Sequence, residues 1–333
     1  MRILISGGSG MVGSYVLKHL LETTEHEFVA VCGWEHKGEP AKLQWAMKGY
    51  EQRVTVVTHD LSKAFTERTK KQIGKADIIL NIASESHVDR SIEEPVDFVQ
   101  NNVNLALTML ELAREVKPKL FLQFSTDEVY GVAKEGVNHK EWSEIVPSNP
   151  YSASKACQEA IAISYWRTYG VPVVITNTMN VFCENQDWEK FIPLCVKKVL
   201  LDEEITIHAY PGATKAGSRF YIHATSVAEA VSYIMNKPIA LYPDSDKPDR
   251  YNIVGDQEVD NLSIAQKVGE ILDKDVKYKL VDFHSSRPGH DARYALDGTK
   301  LSHSGWQPSQ NFDEKFRETI LKLREKFDME YSK

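Results

Sequence analysis

Arg2-Ile3-Leu4-Ile5-Ser6 runs directly into Gly7-Gly8-Ser9-Gly10-Met11-Val12-Gly13. The first five residues read as a short buried strand, and the spacing of Leu17, Leu20 and Leu21 beyond the glycines predicts a helix. Glycines at 7, 10 and 13 suit a tight turn, a close backbone approach to a pyrophosphate, and tight packing of helix on sheet. The start of that helix offers N–H donors to an anion. Strand, loop and helix in this order therefore predict a dinucleotide site built on Gly7, Gly10, Met11, Val12 and Gly13.

Outward from this unit, strand-like and helix-like segments alternate. Strands are predicted near 2–6, 28–32, 54–58, 77–83, 120–125 and 173–178, with helices between them that include Val96 to Val116 and Tyr151 to Tyr169. That order predicts an α/β chain with a doubly wound parallel Rossmann sheet covered on both faces. After about residue 179 the alternation loosens. Arg250 to Gly255 reads as a late strand that rejoins the sheet, and Phe312, Phe316, Ile320, Leu323 and Phe327 mark one amphipathic helix. The expected division is a dinucleotide-binding domain of residues 1–178 plus about 228–255. A smaller, discontinuous α/β substrate-binding domain takes 179–227 and 256–333.

The 333 residues, 42% hydrophobic, suffice for a large core. A formal net charge of −7 argues against a general nucleic-acid or membrane binder, so an anionic substrate must meet a local basic cluster. Cys32, Cys157, Cys183 and Cys195 show neither CxxC nor metal-ligand spacing; reduced thiols are expected, and no metal. A strand beginning at residue 2 leaves no room for a signal peptide, and no apolar run approaches the ~20 residues of a membrane span. The cytoplasm is the expected location.

Chemistry enters with Ser125-Thr126-Asp127-Glu128-Val129-Tyr130-Gly131 and Tyr151-Ser152-Ala153-Ser154-Lys155. Tyr151 and Lys155, four apart, share a helix face. A phenol needs a neighbouring positive charge to act as a base at neutral pH, and Lys155 supplies one. Asp127 and Glu128 are adjacent, so both can face one substrate only if the strand ends there, which Gly131 and the following loop allow. An acid pair, a phenol and an ammonium together suit oxidation of an alcohol followed by loss of water.

These motifs resemble those of the extended short-chain dehydrogenase/reductase family. The glycine loop and YxxxK specify only that large family. Ser84-Glu85-Ser86-His87-Val88-Asp89-Arg90-Ser91, Thr126 to Gly131, and Arg287-Pro288-Gly289-His290-Asp291-Ala292-Arg293-Tyr294 resemble its nucleotide-sugar 4,6-dehydratases more sharply. The resemblance implies that Tyr151 takes the proton of the sugar 4-hydroxyl, that Thr126 orients that hydroxyl, and that C4 is oxidised by NAD. Glu128 would then remove the C5 proton, and a protonated Asp127 would give one to the departing 6-hydroxyl. It further implies cofactor contacts from Asp60, Leu61, Ala83, Ser84, Glu85, Asn102, Tyr151 and Lys155. Substrate contacts would come from Ser86, His87, Asn180, Glu189, Lys190, Arg219, Arg287 and His290.

Several positions depart from the family pattern. Val181 stands where a second asparagine is usual, Cys183-Glu184 replaces Gly-Pro, Ala209 to Ser218 is longer, and His223 replaces an apolar residue. These fall where the sugar and base would be read. The acidic residue expected at the end of the second strand is absent, with Cys32 in its place. Glu35 could reach back, or His36 and Lys37 could take a 2′-phosphate, so NADP stays open beside NAD. A 4-epimerase, a decarboxylase, a 5,6-dehydratase and a silent NAD-binding scaffold also stay open. Long helices at about 96–116 and 151–169 resemble the pair by which relatives form a homodimer.

Overall fold

A computed structural model describes residues 1–34, 38–283 and 292–331. Seven parallel strands make the main sheet: β1 (Arg2–Ser6), β2 (Glu27–Cys32), β3 (Val54–Thr58), β4 (Ile78–Asn81), β5 (Leu120–Thr126), β6 (Val173–Thr178) and β10 (Asp249–Ile253). Their order, β10-β6-β5-β4-β1-β2-β3, reverses direction at β1 and β4, as expected of a doubly wound sheet. The apolar run predicted as a strand over 77–83 pairs only from Ile78 to Asn81. Beyond it, the backbone N–H groups of Ile82 and Ala83 leave the ladder and donate to Ser6 Oγ, each at 3.1 Å.

Alternation along the strands separates two apolar layers. Ile3 and Ile5 pack with Val16 and Leu20 of α1 (Met11–Thr23) and with Val227 and Val231 of α8 (Ala224–Ile234). Leu4 lies on the opposite face with Met109 of α5 (Pro95–Val116) and Trp166 of α6 (Pro150–Tyr169). Further helices of this part are α2 (Pro40–Met47), α3 (Glu67–Ile73) and α4 (Val88–Glu93).

A third apolar cluster lies in the later part of the chain. It joins α7 (Phe191–Leu200), α9 (Asn261–Leu272), β8 (Ile205–Ala209), β9 (Ser218–His223) and the helix Phe312–Tyr331. Here β7 (Asn180–Phe182), β9 and β11 (Glu258–Asp260) form a small sheet, and β8 pairs with β12 (Tyr278–Asp282). The late strand at 249–253 does rejoin the main sheet, parallel to β6. Phe312, Phe316, Ile320, Leu323 and Phe327 are all buried, on the face their spacing predicts.

Candidate active site

Parallel strands place their carboxyl ends on one edge of the sheet, and the site is assembled there. Gly7 follows β1 with φ +73°, and a Cβ on it would lie 2.9 Å from the Ala83 backbone. A Cβ on Gly13 would lie 2.1 Å from Gly7 O, so this glycine is what lets α1 close on the loop. Gly10 caps α1 without any side-chain hydrogen bond. The cradle thus leaves the backbone of the first helical turn, Met11 to Gly13, to face an anion.

The loop after β4 is held from α5. Asn102, fully buried, accepts from the Glu85 N–H at 2.9 Å and donates to Glu85 O at 3.0 Å and Ser154 Oγ at 2.9 Å. Ser84 Oγ donates to Glu85 O at 3.0 Å, and the Glu85 carboxylate takes Arg90 at 3.0 Å. Asp60 and Leu61 lie past β3; bonds from Ser62 and Lys63 lower the Asp60 carboxyl to about 2. Cys32 ends β2 fully buried, where burial pushes its thiol up. Glu35, His36 and Lys37 lie outside the described residues.

β5 ends at Thr126, and the chain turns at once through a short 3-10 helix, Asp127–Tyr130, with Gly131 beyond it at φ +72°. This turn removes the opposite-face constraint on adjacent residues. The Thr126 hydroxyl caps it, accepting from the Glu128 N–H at 3.3 Å and donating to Asp127 Oδ1 at 2.8 Å. Asp127 is 3% exposed, and burial, then the neighbouring Glu128 charge, push its carboxyl well above the ordinary range. Glu128 is more open and accepts from Asn149 Nδ2 at 3.3 Å and the Tyr294 hydroxyl at 3.4 Å.

α6 opens with an Asn149 capping box and carries Tyr151 and Lys155 inward. Burial, then Glu128, push the Tyr151 phenol up, while contact with the Thr126 hydroxyl pulls it down. Burial lowers the Lys155 ammonium to about 7. Its Nζ donates to Phe124 O and Gln158 Oε1, both at 2.7 Å. Sequence reasoning missed Gln158 and its buried partners Gln123 and Asn81; the available signal was a polar residue inside an apolar strand run.

Substrate candidates converge from the later segments. Lys190 Nζ donates to Ser86 O at 3.4 Å, and His87 Nε2 lies 3.7 Å from Glu189 Oε1. Arg219 is 8% exposed, donates to Ser218 O at 2.7 Å and Ala292 O at 2.9 Å, and lies over the Tyr294 ring at 4.4 Å. Arg287 and His290 lie outside the described residues. Ser125 Oγ, Asp127 Oδ2, Thr178 Oγ1 and Asn180 Oδ1 are buried without a hydrogen-bond partner among the described residues. Orphaned polar atoms at the ends of β5 and β6 fit a site that completes its bonding with a ligand.

Three of the departures from the family pattern, Cys183, Glu184 and His223, lie together in space. Cys183, Tyr15 and Ala224 share a small apolar cluster, and Tyr15 packs edge-on against His223 at 5.7 Å. His223 Nδ1 accepts from the Thr225 N–H, so in the neutral ring the proton is on Nε2, 3.8 Å from Glu184. Glu184 also takes Lys322 at 3.1 Å from the C-terminal helix.

A strand-loop-helix cradle, a YxxxK helix and an acid pair at a strand end define an NAD-type oxidoreductase scaffold adapted to elimination. Residues 4–319 match the family model described as GDP-mannose 4,6 dehydratase. The chain belongs to the extended short-chain dehydrogenase/reductase family of NAD-dependent epimerases and dehydratases. It is 33% identical to a probable dTDP-glucose 4,6-dehydratase of Sinorhizobium fredii, over 96% of this chain and 92% of that one. It is 31% identical to the low-salt glycan biosynthesis protein Agl12 of Haloferax volcanii, over 94% and 96%. Among solved structures, DesIV, a dTDP-glucose 4,6-dehydratase from Streptomyces venezuelae crystallised with NAD bound, superposes with a TM-score of 0.87. The two are 29% identical, over 100% of this chain and 99% of that one.

Proposed function

We propose that this protein is a nucleotide-sugar 4,6-dehydratase that converts an NDP-hexose, dTDP-glucose foremost, to the NDP-4-keto-6-deoxyhexose. The observation that carries this reading is the contrast between Asp127, buried and pushed toward its neutral form, and its more open neighbour Glu128. Elimination needs one acid and one base, and two carboxyl groups in unlike environments supply them.

The cradle of Gly7, Gly10, Met11, Val12 and Gly13 holds the NAD pyrophosphate. Asp60, Leu61, Ala83, Ser84, Glu85 and Asn102 line the rest of the cofactor. When bound, NAD would supply a hydride acceptor for the sugar C4 in its oxidised form and a hydride donor for C6 once reduced. Tyr151, with Lys155 beside it as the positive charge, takes the 4-hydroxyl proton, and the Thr126 hydroxyl orients that group. Once C4 is a ketone, the C5 proton is acidic, and Glu128 removes it. Asp127 gives its proton to the 6-hydroxyl, which leaves as water.

Lys190, Arg219, Arg287 and His290 serve the nucleotide diphosphate, and Ser86, His87, Asn180 and Glu189 the sugar. In this reading residues 1–178 with 228–255 hold the cofactor, and 179–227 with 256–333 close over the nucleotide sugar. Two copies associate through α5 and α6. No described helix is long and apolar enough to cross a membrane, and the four free thiols suit the cytoplasm. A particle mass near 37.8 kDa at micromolar concentration would reject the dimer.

The test incubates the protein with dTDP-glucose, UDP-glucose, GDP-mannose and UDP-N-acetylglucosamine in turn. Mass spectrometry is expected to find a nucleotide sugar lighter by one water from one donor. Inversion or decarboxylation without water loss would refute the dehydratase reading while keeping the scaffold.

A further inference from the structure

Four neutral polar side chains cross the interior where an apolar core would suffice. Ser6, Asn81, Gln123 and Gln158 are each 1% exposed or less. They form one line from β1 to α6. Ser6 Oγ donates to Asn81 Oδ1 at 2.8 Å, and Asn81 Nδ2 to Gln123 Oε1 at 2.9 Å. Gln123 Nε2 donates to Gln158 Oε1 at 3.1 Å, and Gln158 Nε2 to Asn102 O at 2.6 Å.

The direction of every bond is forced from both ends. An ammonium can only donate and a backbone carbonyl only accept, so contact with Lys155 Nζ and Asn102 O fixes the Gln158 amide. Gln123 must then present its NH₂ to Gln158 and its oxygen to Asn81, which leaves Asn81 Oδ1 for the Ser6 hydroxyl. At the far end Ser6 Oγ accepts the Ile82 and Ala83 N–H groups, which can only donate. No amide can flip without breaking two bonds. The line thus joins the backbone beside Gly7 to the Lys155 ammonium.

We propose that Gln158 is a positioning residue for Lys155, holding its ammonium in one place and tying it through Gln123 and Asn81 to the cofactor loop. Phe124 O and Gln158 Oε1 take two of the three Nζ–H bonds. The Gln158 oxygen also offsets part of the desolvation of a buried charge. The charged and titratable groups around Lys155 are few. Tyr151 and Glu159 share its helix, and Glu159 is the group whose charge favours the ammonium. Asp127 and Glu128 act on Tyr151 from the end of β5. Arg250 of β10 pairs with Glu159, and α5 contributes the neutral Asn102. Gln158 is therefore the neutral acceptor through which the strut reaches the ammonium.

The inference rests on Lys155 acting as the cation beside Tyr151. Its test uses holoenzyme labelled at lysine Cε with ¹³C, the Lys155 signal being assigned by its loss in Lys155→Met. Gln158→Met, which keeps the volume and removes the acceptor, is expected to lower the Lys155 titration midpoint by about one pH unit. Gln158→Glu, which keeps an acceptor, is expected to hold the midpoint at or above the wild-type value. Should the Met variant not fold, a Lys155 midpoint in Gln158→Glu below wild type overturns the proposal by itself. Unchanged midpoints in both variants, whatever their melting temperatures, also overturn it. The midpoint needs no substrate, so failure here is distinct from failure of the dehydratase reading, which the wild-type protein decides by losing or retaining water.

Discussion

The Thr126 hydroxyl donates to Asp127 Oδ1 at 2.8 Å, while Asp127 Oδ2 stays buried without a hydrogen-bond partner among the described residues. An ionised carboxylate in that position is costly, whereas the neutral acid is not. Asp127 is raised above its ordinary value, so its stabilising contribution is complete below pH 3.8 and is lost as pH rises through the folded value. Asp127→Asn is therefore expected to stabilise the protein at pH 8, on the order of a few kcal/mol, and much less at pH 5. Thermal melting at the two pH values checks this; equal gains would mean the carboxyl is not held neutral by its site.

The same substitution separates the chemical steps. Asp127→Asn is expected to slow water loss about 10²–10⁴-fold, the usual worth of a general acid, with a far smaller effect on oxidation. Reduced nicotinamide should then accumulate on mixing with substrate. Tyr151→Phe is expected to abolish both steps, with no such absorbance. A block on hydride transfer in Asp127→Asn as severe as in Tyr151→Phe would remove the separate acid role.

Local signals explain why so much of this site was legible. Gly7, Gly10 and Gly13 lie within seven residues, and Tyr151 and Lys155 within one helical turn, so spacing alone put them together. The sheet followed because most of its strands are apolar runs, although β10, Asp249–Ile253, is largely polar. The acid pair was harder, since only the turn at Asp127–Tyr130 lets both carboxyls serve one site. Of the Tyr15, Cys183, Glu184 and His223 group only Cys183, Glu184 and His223 stood out as odd residues and Tyr15 gave no signal, because the chain brings the group together across more than 200 positions. Gln158 gave no periodic signal, for a neutral amide on a helix looks like surface until its burial is known.

Lys155 makes a second pH-dependent test. Burial lowers it from 10.5 to about 7 in the folded protein. Between those values the unfolded chain binds more protons than the folded one, so this group makes stability rise with pH. Cofactor-free Lys155→Met is expected to lose that rise between pH 7 and 10. Denaturant unfolding at intervals across that range measures it, and an unchanged slope would place the ammonium in a better-solvated setting than its burial indicates.

Behind the turn Asp127–Tyr130 lies a buried ion pair whose removal has a defined sign. Arg250 and Glu159 meet at 2.8 Å with neither side chain exposed. Arg250 also donates to the Tyr130 hydroxyl at 3.1 Å and lies over the Trp142 ring at 4.4 Å. Asn177 Nδ2 donates to Glu159 Oε1 at 2.7 Å and to Thr126 O at 3.0 Å, linking the pair to the residue that caps the acid turn. Removing one partner leaves an uncompensated buried charge, so Glu159→Gln and Arg250→Met are each expected to cost about 3–5 kcal/mol. The double replacement Glu159→Gln with Arg250→Met should cost much less than their sum, because no charge is then stranded. A denaturant double-mutant cycle gives the coupling directly. Additive losses would mean that water reaches the pair and screens it.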